Sequence, residues 1–212
     1  MGVMDPTWVH PFTCVISGPT GCGKTHFVER FLTHLPDMMQ QVPEEVIWCY
    51  GEWQEGYEAL KSRDVKFIEG VPDVETWSGR SRRRLVIIDD LMQEIDDRVT
   101  RLFTKGSHHR NISVILIVQN LFGKNKEQRT ISLNSHYLVV FKNPRDQAQI
   151  IHLGKQMYPG QSQYVSEAFK SATEVPHGYL LFDLKQNTPD YLRLRSAIFP
   201  GEQHTVYVPR KK

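Results

Sequence analysis

Residues 13–25 read Thr-Cys-Val-Ile-Ser-Gly-Pro-Thr-Gly-Cys-Gly-Lys-Thr. A short apolar run, Cys14-Val15-Ile16, leads into Gly18-x-x-x-x-Gly23-Lys24-Thr25, and a helical pattern follows. A phosphate-binding loop needs this context of strand before and helix after. Glycines let the backbone wrap an anion without a Cβ clash. The turned N–H groups and the helix N-terminus then face the phosphates. The nucleotide contacts expected from this stretch are Gly18, Pro19, Thr20, Gly21, Cys22, Gly23, Lys24, Thr25 and His26. Lys24 can reach the β- and γ-phosphates of ATP, and the Thr25 hydroxyl can bind Mg²⁺. Cys22 reads as a small filler; beside Lys24 and a helix start, an unusually acidic thiol is the alternative.

The periodicity beyond the loop alternates strands with helices, an α/β pattern. Strands are expected at Thr13–Ser17, Glu45–Tyr50, Val65–Ile68, Leu85–Ile88, Ile112–Val118 and Tyr137–Lys142. Phe27, Val28, Phe31, Leu32 and Leu35 recur at helical spacing over Lys24–Leu35, and Pro36 should stop that helix. Helices are also expected over Leu91–Lys105 and Tyr158–Ala172, with a helical turn at Asp73–Gly79. Tyr179–Leu184 and Tyr191–Leu194 read as a terminal hairpin. We expect one P-loop domain over 1–212: a core of about 8–155, C-terminal helices and hairpin at 156–200, and a basic tail at 201–212. The 212 residues show no internal repeat and no apolar run of membrane-spanning length. No signal peptide is visible, and three cysteines without a CxxC pair suit a reducing compartment.

Leu85-Val86-Ile87-Ile88-Asp89-Asp90 is the second nucleotide motif, a Walker B strand. Such a strand delivers its carboxylates to the edge where ligands bind in open α/β sheets. Asp89 can hold Mg²⁺ with Thr25, and Asp90 can orient or activate the attacking water. Gln119, with Asn120 second, ends the next apolar strand and can sense the γ-phosphate. A strand intervenes in sequence between the loop and Walker B, which suggests a core with the two motifs on non-adjacent strands. Small-molecule kinases usually have them adjacent, with an arginine-rich lid. Oligomeric motors instead borrow an arginine from a neighbouring subunit. Arg110, just before the sensor strand, is the first choice, and Arg145 the second. Residues 61–145 carry 16 basic and 10 acidic residues within a chain of net charge +2, which is compatible with a polyanionic partner. Lys124, Lys126 and Arg129, in a polar loop over Leu121–Thr130, are candidate DNA contacts. His108-His109 is conspicuous but has no metal partner in sequence.

The stretch Leu85–Gln119, together with GPTGCGKT, His10-Pro11-Phe12-Thr13, Ile47-Trp48-Cys49-Tyr50-Gly51-Glu52 and HYLVVFKNPRD at 136–146, resembles genome-packaging ATPases of the FtsK–HerA superfamily. Those of large DNA viruses and of Polinton or adintovirus-type elements, related to the poxvirus packaging ATPase, are the most similar. The resemblance covers roughly residues 8–155. It implies a RecA-like (ASCE) ATPase that assembles into a ring, usually a hexamer, and drives double-stranded DNA into a capsid. It implies a trans-acting arginine matching Arg110 and a sensor glutamine matching Gln119. The wider superfamily often has Glu where this chain has Asp90. The implied partners are double-stranded DNA, sibling subunits and a capsid or portal protein, with no membrane. The implied location is the host cell, in a virus factory or nucleus, at the assembling capsid. A nucleotide or nucleoside kinase, or a nucleotide-binding regulatory switch, is the alternative.

Overall fold

The computed structural model describes residues 7–71, 73, 77, 82–91, 97–106, 110–122 and 126–209. The strands are β1 (Thr13–Ser17), β2 (Glu45–Tyr50), β3 (Val65–Glu69), β4 (Arg84–Asp89), β5 (Ile112–Val118), β6 (Tyr137–Phe141), β7 (Tyr179–Asp183), β8 (Leu194–Ser196) and β9 (Thr205–Tyr207). They form one nine-stranded sheet in the order β3-β2-β4-β5-β1-β6-β7-β8-β9. The first six in sequence pair in parallel, and β7, β8 and β9 add antiparallel strands to one side. The mostly parallel α/β sheet of a RecA-like P-loop fold is therefore present. β1 and β4 are not neighbours: β5 lies between them.

Strand alternation sorts the core into two layers. Val15, Val86, Ile88, Val114, Leu116, Leu138 and Val140 face one way. They pack on α4 (Asp97–Arg101), the π-helical turn Leu102–Gly106, α5 (Lys126–Leu133), α6 (Ala148–Met157) and α7 (Ser162–Ala172). Cys14, Ile16, Trp48, Leu85, Ile87, Ile115, Ile117 and Val139 face the other way, toward α1 (Lys24–Thr33), α2 (Leu35–Met38) and α3 (Glu58–Lys61). Burial on both faces explains why β4 and β5 read as continuous apolar runs rather than alternating ones. No described helix is long and apolar enough to cross a membrane.

Several elements differ from the sequence expectation. α1 ends at Thr33, and Pro36 sits in the first turn of α2, where its missing N–H costs nothing. The polar stretch around Lys126 is a helix, α5, so Lys126 and Arg129 stand on a helix instead of a loop. The segment 201–209, part of the expected basic tail, carries β9, which pairs with β8. Residues 190–192 form a 3₁₀ turn, so the second arm of the hairpin starts later, at Leu194. Asp73–Gly79 lies largely outside the described residues, and so does the first part of the expected helix over Leu91–Lys105. Arg84 is not a surface charge: it is 7% exposed and pairs with Glu45 at 2.8 Å. Arg83 lies 3.8 Å from Glu44. Part of the basic excess in the middle of the chain is thus neutralised within the fold.

The segment before β1 closes one end of the core. Trp8 is 1% exposed, stacks on Tyr137 at 4.1 Å and meets Phe12 and Phe31 at 4.9 Å. Its amide donates to Met38 O, and its carbonyl accepts from Gln40 N. His10 Nδ1 lies 2.6 Å from Ser113 Oγ, and Nε2 lies 2.9 Å from Asn111 Oδ1. Burial holds the His10 pKa below its ordinary value. Truncating Trp8 leaves a cavity among three aromatic rings. Trp8→Ala is expected to cost about 3–5 kcal/mol in urea unfolding. A loss below about 1 kcal/mol would mean that this segment is not part of the cooperative core.

Candidate active site

The register of the parallel strands builds the site at one edge of the sheet. Ser17, the last residue of β1, lies beside Val118 of β5 and Val140 of β6, while Asp89 lies beside Tyr50 at the end of β2. The phosphate loop, the Walker B carboxylates and Gln119 therefore leave the sheet at the same edge. They line one cleft of about 460 Å³ with Thr20, Gly21, Gly23, Thr25, His26 and Gln54. Gly18, Pro19 and Cys22 do not line it.

Gly23 precedes α1 with φ 108, a left-handed conformation that glycine adopts without a Cβ penalty. Lys24 Nζ donates to the carbonyls of Gly18 at 2.6 Å and Pro19 at 2.9 Å. His177, from the turn before β7, buttresses the loop from outside: its Nδ1 lies 3.1 Å from Cys22 O. Burial outweighs the nearby Lys24 charge and raises the Cys22 thiol pKa, so the acidic-thiol alternative is not supported.

Asp89 is 4% exposed and accepts a 2.8 Å hydrogen bond from the Tyr57 hydroxyl at Oδ2. Burial raises its carboxyl pKa, and the Asp90 charge adds to this; the Tyr57 bond and Lys24 pull the other way. Asp90 follows at φ 56, an uncommon conformation for a residue with a Cβ. Such strain is concentrated at functional sites. Sequence reasoning missed Gln54 and Tyr57. Both lie in the turn after β2, where no motif marks them, and a tyrosine among Trp48, Trp53 and Phe67 reads only as core.

Arg110 is half-buried just before β5, at the amino edge of the sheet. Seven residues of β5 carry the chain about 20 Å from there to the cleft. Arg110 does not line the cleft of its own chain. Arg145, exposed after β6, lies toward the phosphate-loop edge. Lys126 and Arg129 are exposed and stand three residues apart on α5, which places them on one face. Lys124 and His108-His109 lie outside the described residues.

Residues 14–143 match the family described as RNA helicase. The chain belongs to this family of P-loop NTPases. No curated protein matches its sequence. Among solved structures, it is similar to the genome packaging NTPase B204 of Sulfolobus turreted icosahedral virus 2, in complex with ATP-gammaS. The TM-score is 0.57 at 13% identity, over 97% of this chain and 99% of B204. The pCW3 conjugation coupling protein TcpA, in its monomer form with ATPgS, gives 0.51 at 15% identity. That match covers 84% of this chain and 59% of TcpA. The cytoplasmic domain of the Thermomonospora curvata type VII secretion ATPase EccC gives 0.52 at 10% identity, over 84% of this chain and 24% of EccC. At these identities the likeness concerns the fold alone, the mixed α/β fold of P-loop NTPases. The chain is a P-loop NTPase.

Proposed function

We propose that the chain hydrolyses ATP to move double-stranded nucleic acid, most specifically to package a viral or virus-like DNA genome. The carrying observation is the position of β5. It separates the loop strand from the Walker B strand and leads directly into Gln119, which lines the same cleft as Lys24, Asp89 and Asp90. That order argues against a small-molecule kinase, whose two motifs usually occupy adjacent strands. The fold shared with a genome packaging NTPase over almost the whole of both chains supports the packaging reading. The P-loop domain in this reading spans residues 1–212.

The residues fit a magnesium nucleotide. Among the described residues no group of three or more His, Cys, Asp or Glu could hold a metal. Mg²⁺ needs none, because it takes one or two protein ligands plus phosphate oxygens and keeps several waters. Asp89 and Thr25, lining one cleft, would supply those ligands. Bound there, Mg²⁺ would neutralise charge on the β- and γ-phosphates. Lys24 would exchange its two carbonyl bonds for phosphate oxygens. Asp90 and Gln119 would orient the attacking water. Arg110 cannot serve its own cleft across the sheet, so it would act on a neighbour packed head-to-tail in a ring. Arg145 is the second choice. Lys126 and Arg129, with Lys124, would contact DNA phosphates without reading sequence. A capsid or portal protein would dock the ring in the infected cell.

The test is ATPase rate with and without long linear duplex DNA, with particle mass measured in the same buffer. We expect several-fold stimulation that weakens as salt rises, and a ring-sized particle. A monomer insensitive to nucleic acid would overturn the motor reading and favour a kinase or a regulatory switch. The family's name makes RNA the second polymer to include, and stimulation by RNA alone would reassign the substrate.

A further inference from the structure

The turn after β2 touches the site at three points. Gly51 passes so close to Asp90 that an added Cβ would lie 2.9 Å from the Asp90 carbonyl oxygen and 3.3 Å from Leu91. Gln54 lines the cleft. Tyr57, fully buried at the end of the 3₁₀ turn Glu55–Tyr57, donates its hydroxyl to Asp89 Oδ2 at 2.8 Å. The Tyr57 ring has little freedom: it stacks on Phe67 at 5.8 Å and contacts Trp48 at 5.3 Å and Trp53 at 5.5 Å. A carboxylate rotates easily about its terminal bond. Here one oxygen is held by a donor whose own position is set by the rings packed around it, which fixes the orientation of the carboxylate at the cleft.

We propose that Tyr57 is the positioning residue of the metal-binding carboxylate: through its bond to Oδ2 it aims Asp89 at the Mg²⁺ of the bound nucleotide. This rests on the reading of Asp89 as the metal ligand. Partners that orient a ligating group in this way typically contribute 10- to 100-fold to metal affinity or activity. On its outer side the same turn carries Trp53, 40% exposed, with Lys61 Nζ 4.6 Å from its ring centre. Trp53 is one of four tryptophans in the chain, and it and Trp48 both contact Tyr57, so tryptophan emission includes a signal from this segment.

The experiment titrates a fluorescent ATP analogue against the full chain, first in EDTA and then across a Mg²⁺ series, for wild type and Tyr57→Phe. Phenylalanine keeps the ring contacts and removes only the donor. We expect nearly unchanged metal-free affinity, a Mg²⁺ half-saturation raised about 10-fold, and a smaller Mg²⁺-dependent change in tryptophan emission. In an Asp89→Ala background, Tyr57→Phe should change neither quantity further. An unchanged Mg²⁺ half-saturation in Tyr57→Phe overturns the positioning role and leaves Asp89 as ligand. Loss of metal-free binding in Tyr57→Phe assigns Tyr57 to the fold and also overturns the proposal. A wild type that shows no Mg²⁺-dependent gain in affinity overturns the metal reading of Asp89, and the proposal falls with it.

Discussion

Lys24→Ala is expected to lower nucleotide turnover by a factor of about 100 or more. Lys24 is the one cation of the phosphate loop, and it lines the cleft with Thr25 and Asp89. Its ammonium is already held at the mouth of the loop by the Gly18 and Pro19 carbonyls. Charge that develops on a transferring phosphoryl group would be stabilised by this ammonium once it exchanges those two carbonyl bonds for phosphate oxygens. The alanine variant keeps the glycines and the start of α1, so its unfolding midpoint should stay near that of wild type. Steady-state phosphate release measures the effect. Retention of more than half the wild-type rate would show that the cleft at Gly18–Thr25 is not where hydrolysis occurs.

Arg110→Ala should produce an even larger loss if it supplies the arginine of a shared site, on the order of 10³-fold or more. Nucleotide affinity should change little, because Arg110 does not line the cleft of its own chain. The decisive measurement mixes the two inactive variants. A mixed ring contains some clefts with an intact Lys24 facing a neighbour with an intact Arg110, and these should restore part of the activity. The position of Arg110 at the amino edge of β5 makes this test sharp, since the strand separates it from its own Gln119. Failure to recover would remove Arg110 from the shared site. Arg145 would then be the residue to test, because it leaves β6 toward the loop edge.

The loop, β1, β2 and β5 were legible because their signals are local. An apolar run followed by Gly-x-x-x-x-Gly-Lys-Thr restricts backbone and chemistry within a dozen residues. β4 and β5, buried on both faces, carry the unbroken apolar runs Leu85–Ile88 and Val114–Val118, so Asp89 and Gln119 were visible as the polar residues that end them. The basic stretch around Lys126 was less legible. Its exposed charges masked the weaker apolar signal of Ile131, which buries the helix against the sheet. β9 was also missed, since a three-residue strand is defined by the partner it pairs with, not by its own composition.

Sequence spacing established which groups could meet a nucleotide, because glycine, lysine, threonine and aspartate carry that chemistry wherever a strand-to-helix turn puts them. Which groups touch each other was decided by the sheet. Only its strand order puts β5 between the two motifs, and only its register puts Tyr50 beside Asp89. Tyr57 reaches Asp89 across 32 residues of chain through a turn with no motif of its own. Contacts of that kind depend on the relative placement of whole elements, which burial of both faces of the sheet sets and no local pattern encodes.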